Sequence, residues 1–292
     1  MPASAGQGSP ASNGRIVFTA GTADLWTVNP DGSDVQLLAS LPQSPDYTAF
    51  LRDESYSADG SKLAFIYEQI GTNTLCRAQF AVCWSIVLMS ADGTGQRVIF
   101  SSEDIASGAL ALSPNGRTIA FTRVVVDREP IFLIDDDGRH LRRLTAPVQG
   151  GTDVSPTWSP DGRWIAFNSN RDCCEHGEWS LYVANVHNRR LRKVMAVGGN
   201  DIEPDWSPDG SRLVFTRTFS YPDYRIYTVN VDGTGEHEVF GDSGAEAPKW
   251  SPDGERILYL NLSGLAIVDA DGTDPQSVVS GAILGYDWRP SP

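Results

Sequence analysis

Two patterns of apolar positions recur along the chain. The first is an aromatic residue, a Ser-Pro-Asp-Gly turn and then a short apolar run. It appears as Trp158-Ser-Pro-Asp-Gly162 before Trp164-Ile-Ala-Phe167, as Trp206-Ser-Pro-Asp-Gly210 before Leu213-Val-Phe215, and as Trp250-Ser-Pro-Asp-Gly254 before Ile257-Leu-Tyr259. Weaker copies are Tyr56-Ser-Ala-Asp-Gly60 before Leu63-Ala-Phe65, and Leu112-Ser-Pro-Asn-Gly116 before Ile119-Ala-Phe121. The second is a further apolar run: Leu25-Trp-Thr-Val28, Ile86-Val-Leu-Met89, Ile131-Phe-Leu-Ile134, Leu181-Tyr-Val-Ala184, Ile226-Tyr-Thr-Val229 and Leu265-Ala-Ile-Val268. Five of these six lead into Asp-Gly, and His187-Asn188 takes that place after Ala184. Glycine supplies the positive φ of a tight turn, so Asp-Gly between apolar runs predicts a hairpin. Both sets of runs are apolar with little alternation, as strands covered on both faces are.

Each repeat therefore predicts four antiparallel strands: A ending at the aromatic, B after the first turn, C before the second, and D after it. The first-motif glycines at 60, 116, 162, 210 and 254 are spaced by 56, 46, 48 and 44 residues, the length of a four-stranded propeller blade. A sixth unit is split between the ends of the chain. Trp288-Arg-Pro-Ser-Pro292 stops where a turn should begin, and Arg15-Ile-Val-Phe18 supplies the strand that should follow. The fold expected is an all-β, six-bladed β-propeller. Its ring is closed by the C-terminal strand joining the N-terminal blade, which removes free sheet edges. Residues 13–292 read as one domain. Residues 1–12, rich in Ala, Ser, Gly and Pro, read as a flexible lead-in that is not a signal peptide as it stands.

Charge narrows the partners. The formal net charge is -14, which argues against a nucleic-acid backbone or an anionic membrane surface. No apolar run approaches the ~20 residues of a membrane span. Four cysteines, Cys76, Cys83, Cys173 and Cys174, fall in expected loops, which suggests oxidation and an exported protein, periplasmic or secreted. A Cys76–Cys83 disulfide is the favoured pairing and would stabilise the fold by about 2.5 kcal/mol. Cys173 and Cys174 could bond only through a strained ring, and four reduced cysteines in a cytoplasmic protein are the alternative.

The motif Trp-Ser-Pro-Asp-Gly-x-x-Ile-Ala-Phe, a later Leu-Tyr-Val and an Asp-Gly before Leu-Thr resemble the propeller of the TolB family. The resemblance spans residues 14–292 and is sharpest in blades 4, 5 and 6. TolB carries a further N-terminal α/β domain, and tricorn-like and prolyl-oligopeptidase-like proteins attach peptidase domains to similar propellers; a stand-alone propeller is expected here. What the resemblance implies is protein–protein interaction, typically outside the cytoplasm.

Strand alternation sorts the loops onto two faces. The A–B and C–D turns share one, and the longer, more varied B–C and D–A loops share the other, where binding residues are expected. On that face the B–C loop 68–85 carries Cys76, Phe80, Cys83 and Trp84, and the B–C loop 168–180 carries Arg171, His176 and Trp179; blade 5 adds Tyr221 and Tyr224. Exposed aromatics are common interface anchors. The D–A segments bring acids to the mouth of the central channel: Asp53 and Glu54, Glu103 and Asp104, Asp153, Asp201 and Glu203, and Glu246. Converging carboxylates could hold Ca²⁺, as in six-bladed lactonases, but these acids sit at different offsets from the aromatic. No catalytic residue is assigned, because the four histidines have no convergent partners for a triad or a zinc site. The reading is a non-enzymatic, monomeric module binding a protein or a glycan, with no cofactor. A calcium-dependent hydrolase or lactonase is the alternative.

Overall fold

The Ser-Pro-Asp-Gly segments close on themselves, and the computed structural model shows how. It describes residues 13–21, 23–72, 81–172, 178–194, 199–220 and 222–291; the expected lead-in 1–12 lies outside them. In blade 5, Ser207 Oγ donates to Asp209 Oδ1 at 2.6 Å and accepts from the Arg212 N–H at 3.0 Å. Asp209 Oδ1 in turn accepts from the Ser211 N–H at 3.0 Å. The same pair of serine bonds forms at Ser57, Ser159 and Ser251. The tryptophan before the turn crosses to the neighbouring blade: Trp158 Nε1 donates to the Ala111 carbonyl at 3.1 Å, and Trp206 Nε1 to the Thr157 carbonyl at 3.2 Å.

Between the turns run 24 strands among the described residues. Blade 1 contributes β1 (Asn13–Thr19), β2 (Asp24–Val28) and β3 (Gln36–Ser40). Blade 2 is β4 (Tyr47–Tyr56), β5 (Lys62–Gly71), β6 (Ala81–Ser90) and β7 (Arg97–Ser102), and blade 3 is β8 (Ile105–Leu112), β9 (Thr118–Arg123), β10 (Ile131–Asp135) and β11 (Arg142–Arg143). Blade 4 is β12 (Asp153–Trp158), β13 (Trp164–Ser169), β14 (Ser180–Asn185) and β15 (Leu191–Lys193). Blade 5 is β16 (Asn200–Trp206), β17 (Arg212–Ser220), β18 (Asp223–Asn230) and β19 (His237–Ser243). Blade 6 is β20 (Glu246–Trp250), β21 (Arg256–Asn261), β22 (Gly264–Asp269) and β23 (Gln276–Ser280), and β24 (Gly285–Pro290) follows. Six four-stranded antiparallel sheets result, and β24 completes blade 1 in the order β24-β1-β2-β3. Trp288 pairs with Ile16, Asp287 with Val17 and Tyr286 with Phe18. The ring is closed as the split repeat requires.

The apolar runs fill six separate cores, one between each pair of adjacent blades. Phe167, Tyr182 and Trp158 of blade 4 pack on Ala120 and Leu133 of blade 3, and Trp288, Phe18 and Ile16 of blade 1 pack on Leu258 and Ile267 of blade 6. Phe65, Phe121, Phe167, Phe215 and Tyr259 are almost wholly buried. Each such side chain stabilises the fold by roughly 1.5–3 kcal/mol.

Two features depart from the expected loop boundaries. Strands β5 and β6 stay paired as far as Gly71 and Ala81, so Cys83 and Trp84 lie on a strand and not in a loop. The acids Asp53, Glu54, Asp153, Asp201, Glu203 and Glu246 likewise belong to the innermost strands. Asp153, Asp201 and Glu246 pair directly with the B strand, whereas Asp53, Glu54 and Glu203 fall in bulges: β4, β12, β16 and β20 each carry one extra residue, between Arg52 and Ser55, Val154 and Thr157, Ile202 and Asp205, and Glu246 and Lys249. Such a bulge leaves a residue out of the ladder and re-aims its neighbours. Its first residue is left-handed in all four: Asp53 (φ 59°), Ser155 (53°), Glu203 (55°) and Ala247 (51°). The next residue is Glu54 or one of Pro156, Pro204 and Pro248. Proline is tolerated there because a bulge asks for no ladder donor.

Candidate functional site

The bulges of four innermost strands surround one cavity of about 320 Å³ at the channel mouth. Asp53, Glu54, Glu203 and Glu246 line it, together with Arg52, Lys249 and Tyr286. Glu54 is only 3% exposed, and neither of its carboxylate oxygens makes a well-formed hydrogen bond. Gly285 makes room for it, since a Cβ there would lie 2.0 Å from Glu54 Oε2. Burial pushes the Glu54 carboxyl up to about 8, and the nearby Asp53 and Asp287 charges add to this. Glu203 is better held: its Oε2 accepts from the Ala247 N–H at 2.9 Å and the Thr216 hydroxyl at 3.3 Å. Burial, reinforced by Glu246, still raises it to about 7.

The residue one place before the aromatic of the repeat stitches the ring together under this cavity. Asp287 Oδ2 accepts from the Tyr56 N–H at 2.7 Å, Ser55 Oγ from the Leu112 N–H at 2.9 Å, and Asp205 Oδ2 from the Trp250 N–H at 2.9 Å. Burial raises Asp287 to about 6 against the pull of Lys249. Lys249 Nζ stands 4.0 Å from Asp205 Oδ1. Burial works against its charge, but Asp205, Asp287 and Glu203 outweigh that and hold the ammonium above the ordinary lysine range. Sequence reasoning passed over Asp205, Lys249 and Asp287. Their signal is that the position before the aromatic is polar in five repeats, as Ser55, Thr157, Asp205, Lys249 and Asp287.

Asp153 and Asp201 do not join the cavity lining. Asp153 is fully buried against the Arg171 guanidinium at 2.5 Å, which also lies over the Phe167 and Tyr182 rings. Asp201 accepts from Arg217 at 2.7 and 3.1 Å, and Arg217 lies over the Tyr227 ring and also pairs with Glu236. The two Arg–Asp pairs are matching fixtures of blades 4 and 5. Asp104 is bound by Arg123 at 3.2 Å. Among the described residues no group of three or more His, Cys, Asp or Glu is arranged to hold a metal ion.

Of the aromatic candidates, Trp179 sits in the B–C loop of blade 4, its N–H bonded to Asn200 Oδ1 at 3.0 Å. Tyr224 lies on β18 opposite Thr218 and Asp242. Trp84 packs against the core between blades 2 and 3. Phe80, His176, Tyr221, Cys76, Cys173 and Cys174 lie outside the described residues. Cys83 is buried and disulfide-bonded.

Known proteins share this architecture. The family described as the TolB beta propeller domain matches residues 172–283. The Protein TolB homolog of Chlorobium chlorochromatii (strain CaD3) is 28% identical over 163 residues, covering 54% of this chain and 31% of that protein. The Tol-Pal system protein TolB of Nitratidesulfovibrio vulgaris is 27% identical over 172 residues, covering 57% of this chain and 34% of that protein. The match spans about a third of the length of these relatives. The crystal structure of TolB from Acinetobacter baumannii superposes with a TM-score of 0.75 at 20% identity, over 95% of this chain and 67% of that one. Six blades in a closed ring thus give this chain the fold of the TolB propeller.

Proposed function

We propose that this TolB-type propeller, folding as one unit over residues 13–292, is a binding or scaffold module. It recognises a protein through the face that carries the B–C and D–A loops and the channel mouth, and it performs no reaction of its own. The observation that carries this reading is Glu54, a buried acid whose carboxylate oxygens make no well-formed hydrogen bond, lining an open cavity with Asp53, Glu203 and Glu246. Ionising a carboxyl held out of water is costly, which is why burial keeps Glu54 protonated up to about 8. A partner's Lys or Arg side chain entering the cavity would favour the ionised form of Glu54 and pair with it, while Trp179 and Tyr224 offer apolar contact elsewhere on the same face. A calcium-dependent hydrolase is the weaker reading, since Asp153 and Asp201 are already committed to arginines. The disulfide at Cys83, with Cys76 as its proposed partner, supports a place outside the cytoplasm, and so does the likeness to a protein named for the Tol-Pal system.

A photo-crosslinking amino acid placed at Trp179 or at Tyr224, compared with one at Asp31 on the opposite face, tests this in an envelope extract. Adducts with one protein from the first two positions alone are expected. Adducts from position 31 alone would reverse the face assignment.

A further inference from the structure

The outer rim is not uniform in charge. Seven of the chain's 23 Lys and Arg (Arg139, Arg142, Arg143, Arg189, Arg190, Arg192 and Lys193) fall on the C–D turns and D strands of blades 3 and 4. The equivalent segments of the other four blades hold Arg97 alone and carry acids such as Asp34, Glu236, Glu238 and Asp274. Arginine on an outer strand often serves only to prevent edge-to-edge pairing. That does not explain the distribution here. The charged edges β11 and β15 have two and three residues, while the edges of the other blades have five to seven. The strands least in need of protection carry the most charge.

The two edges also meet around a cleft of about 250 Å³, with Arg143 and Thr145 of blade 3 on one side and Arg189 and Leu191 of blade 4 on the other. Arg171 reaches its wall, but its charge is taken by Asp153. The side chains of Arg142, Arg143, Arg189 and Arg190 are exposed and make no hydrogen bond or ion pair with a described residue. Arg189 holds its place with a left-handed backbone (φ 58°) where the Asp-Gly turns of blades 1 and 6 have Gly32 and Gly272.

We propose that this cleft binds the carboxylate groups of a linear acidic polysaccharide. Guanidinium forks match carboxylates in bidentate geometry, and the exposed Leu191 on the cleft wall gives the C–H face of a sugar ring an apolar surface. The concave shape suits a narrow chain better than a flat bilayer. An acidic peptide adding as a strand would find only two or three residues of edge to pair with. The acidic remainder of the molecule repels such a polymer only weakly beyond about 8 Å at physiological ionic strength, so the local arginines decide.

The test is calorimetric titration of the full chain with a uronate hexasaccharide at about 50 mM salt, where screening is modest. Binding is expected, weakened at least about tenfold in the double variant Arg143→Gln, Arg189→Asn and unchanged in Arg97→Gln, with all three proteins melting alike. No binding by the natural chain would overturn the proposal. So would equal affinity in the double variant, or tighter binding of anionic phospholipid vesicles or of a polyglutamate peptide than of the uronate.

Discussion

Ser207 shows how much of this fold is held by single polar atoms. Its hydroxyl donates to Asp209 and accepts from the Arg212 N–H, fixing the entry to β17. Ser207→Ala leaves that N–H and the Asp209 oxygen without the hydroxyl while keeping the turn's other bonds. A loss of about 1–2 kcal/mol is expected in urea unfolding. A loss near zero would mean that water replaces the hydroxyl. The aromatic before the serine acts across blades, through Trp206 Nε1 to Thr157. One repeat motif therefore specifies a turn and a blade-to-blade contact together.

At the scale of elements, the B and C strands and both kinds of turn were legible in the sequence, because apolar runs and Asp-Gly report burial and hairpins directly. The innermost strands were less so. Their one-residue bulges leave the spacing between repeats unchanged, and Pro204 or Pro248 argues locally against a central strand. Acids such as Glu54 and Glu203 therefore read as loop residues, although β4 and β16 contain them. The Arg217–Asp201 pair was hidden for another reason: its members lie 16 residues apart on neighbouring strands, and nothing in the repeat marks them as partners. Arg217 is 6% exposed, and burial holds the Asp201 carboxyl above its ordinary range in spite of it. Arg217→Met leaves that charge uncompensated. A loss of about 3–5 kcal/mol is expected by denaturant unfolding at neutral pH. A loss under 1 kcal/mol would show that Asp201 takes up a proton or reaches water instead.

The whole molecule joins six inter-blade cores into a ring whose ends meet at β24 and β1, and the channel acids face the space inside it. Glu54, Glu203 and Asp287 are raised to about 8, 7 and 6. Between the ordinary carboxylate range and those values the folded protein keeps protons that the unfolded chain has released. Their contribution to stability is full below about pH 4 and declines as pH rises through that window. The exposed turn aspartates, Asp31, Asp92, Asp232 and Asp271, run the other way. Hydrogen bonds from Ser33, Thr94, Thr234 and Thr273 hold them below the ordinary range, so their contribution is lost in acid. The most direct measurement of whether the channel mouth keeps an uncompensated acid is the melting temperature of Glu54→Gln beside the natural chain, at pH 5 and pH 8.5. Near-equal values are expected at pH 5, where both side chains are neutral, with the variant higher by about 4–8 °C at pH 8.5. The same difference at both pH values, or a variant that melts lower at pH 8.5, would contradict it.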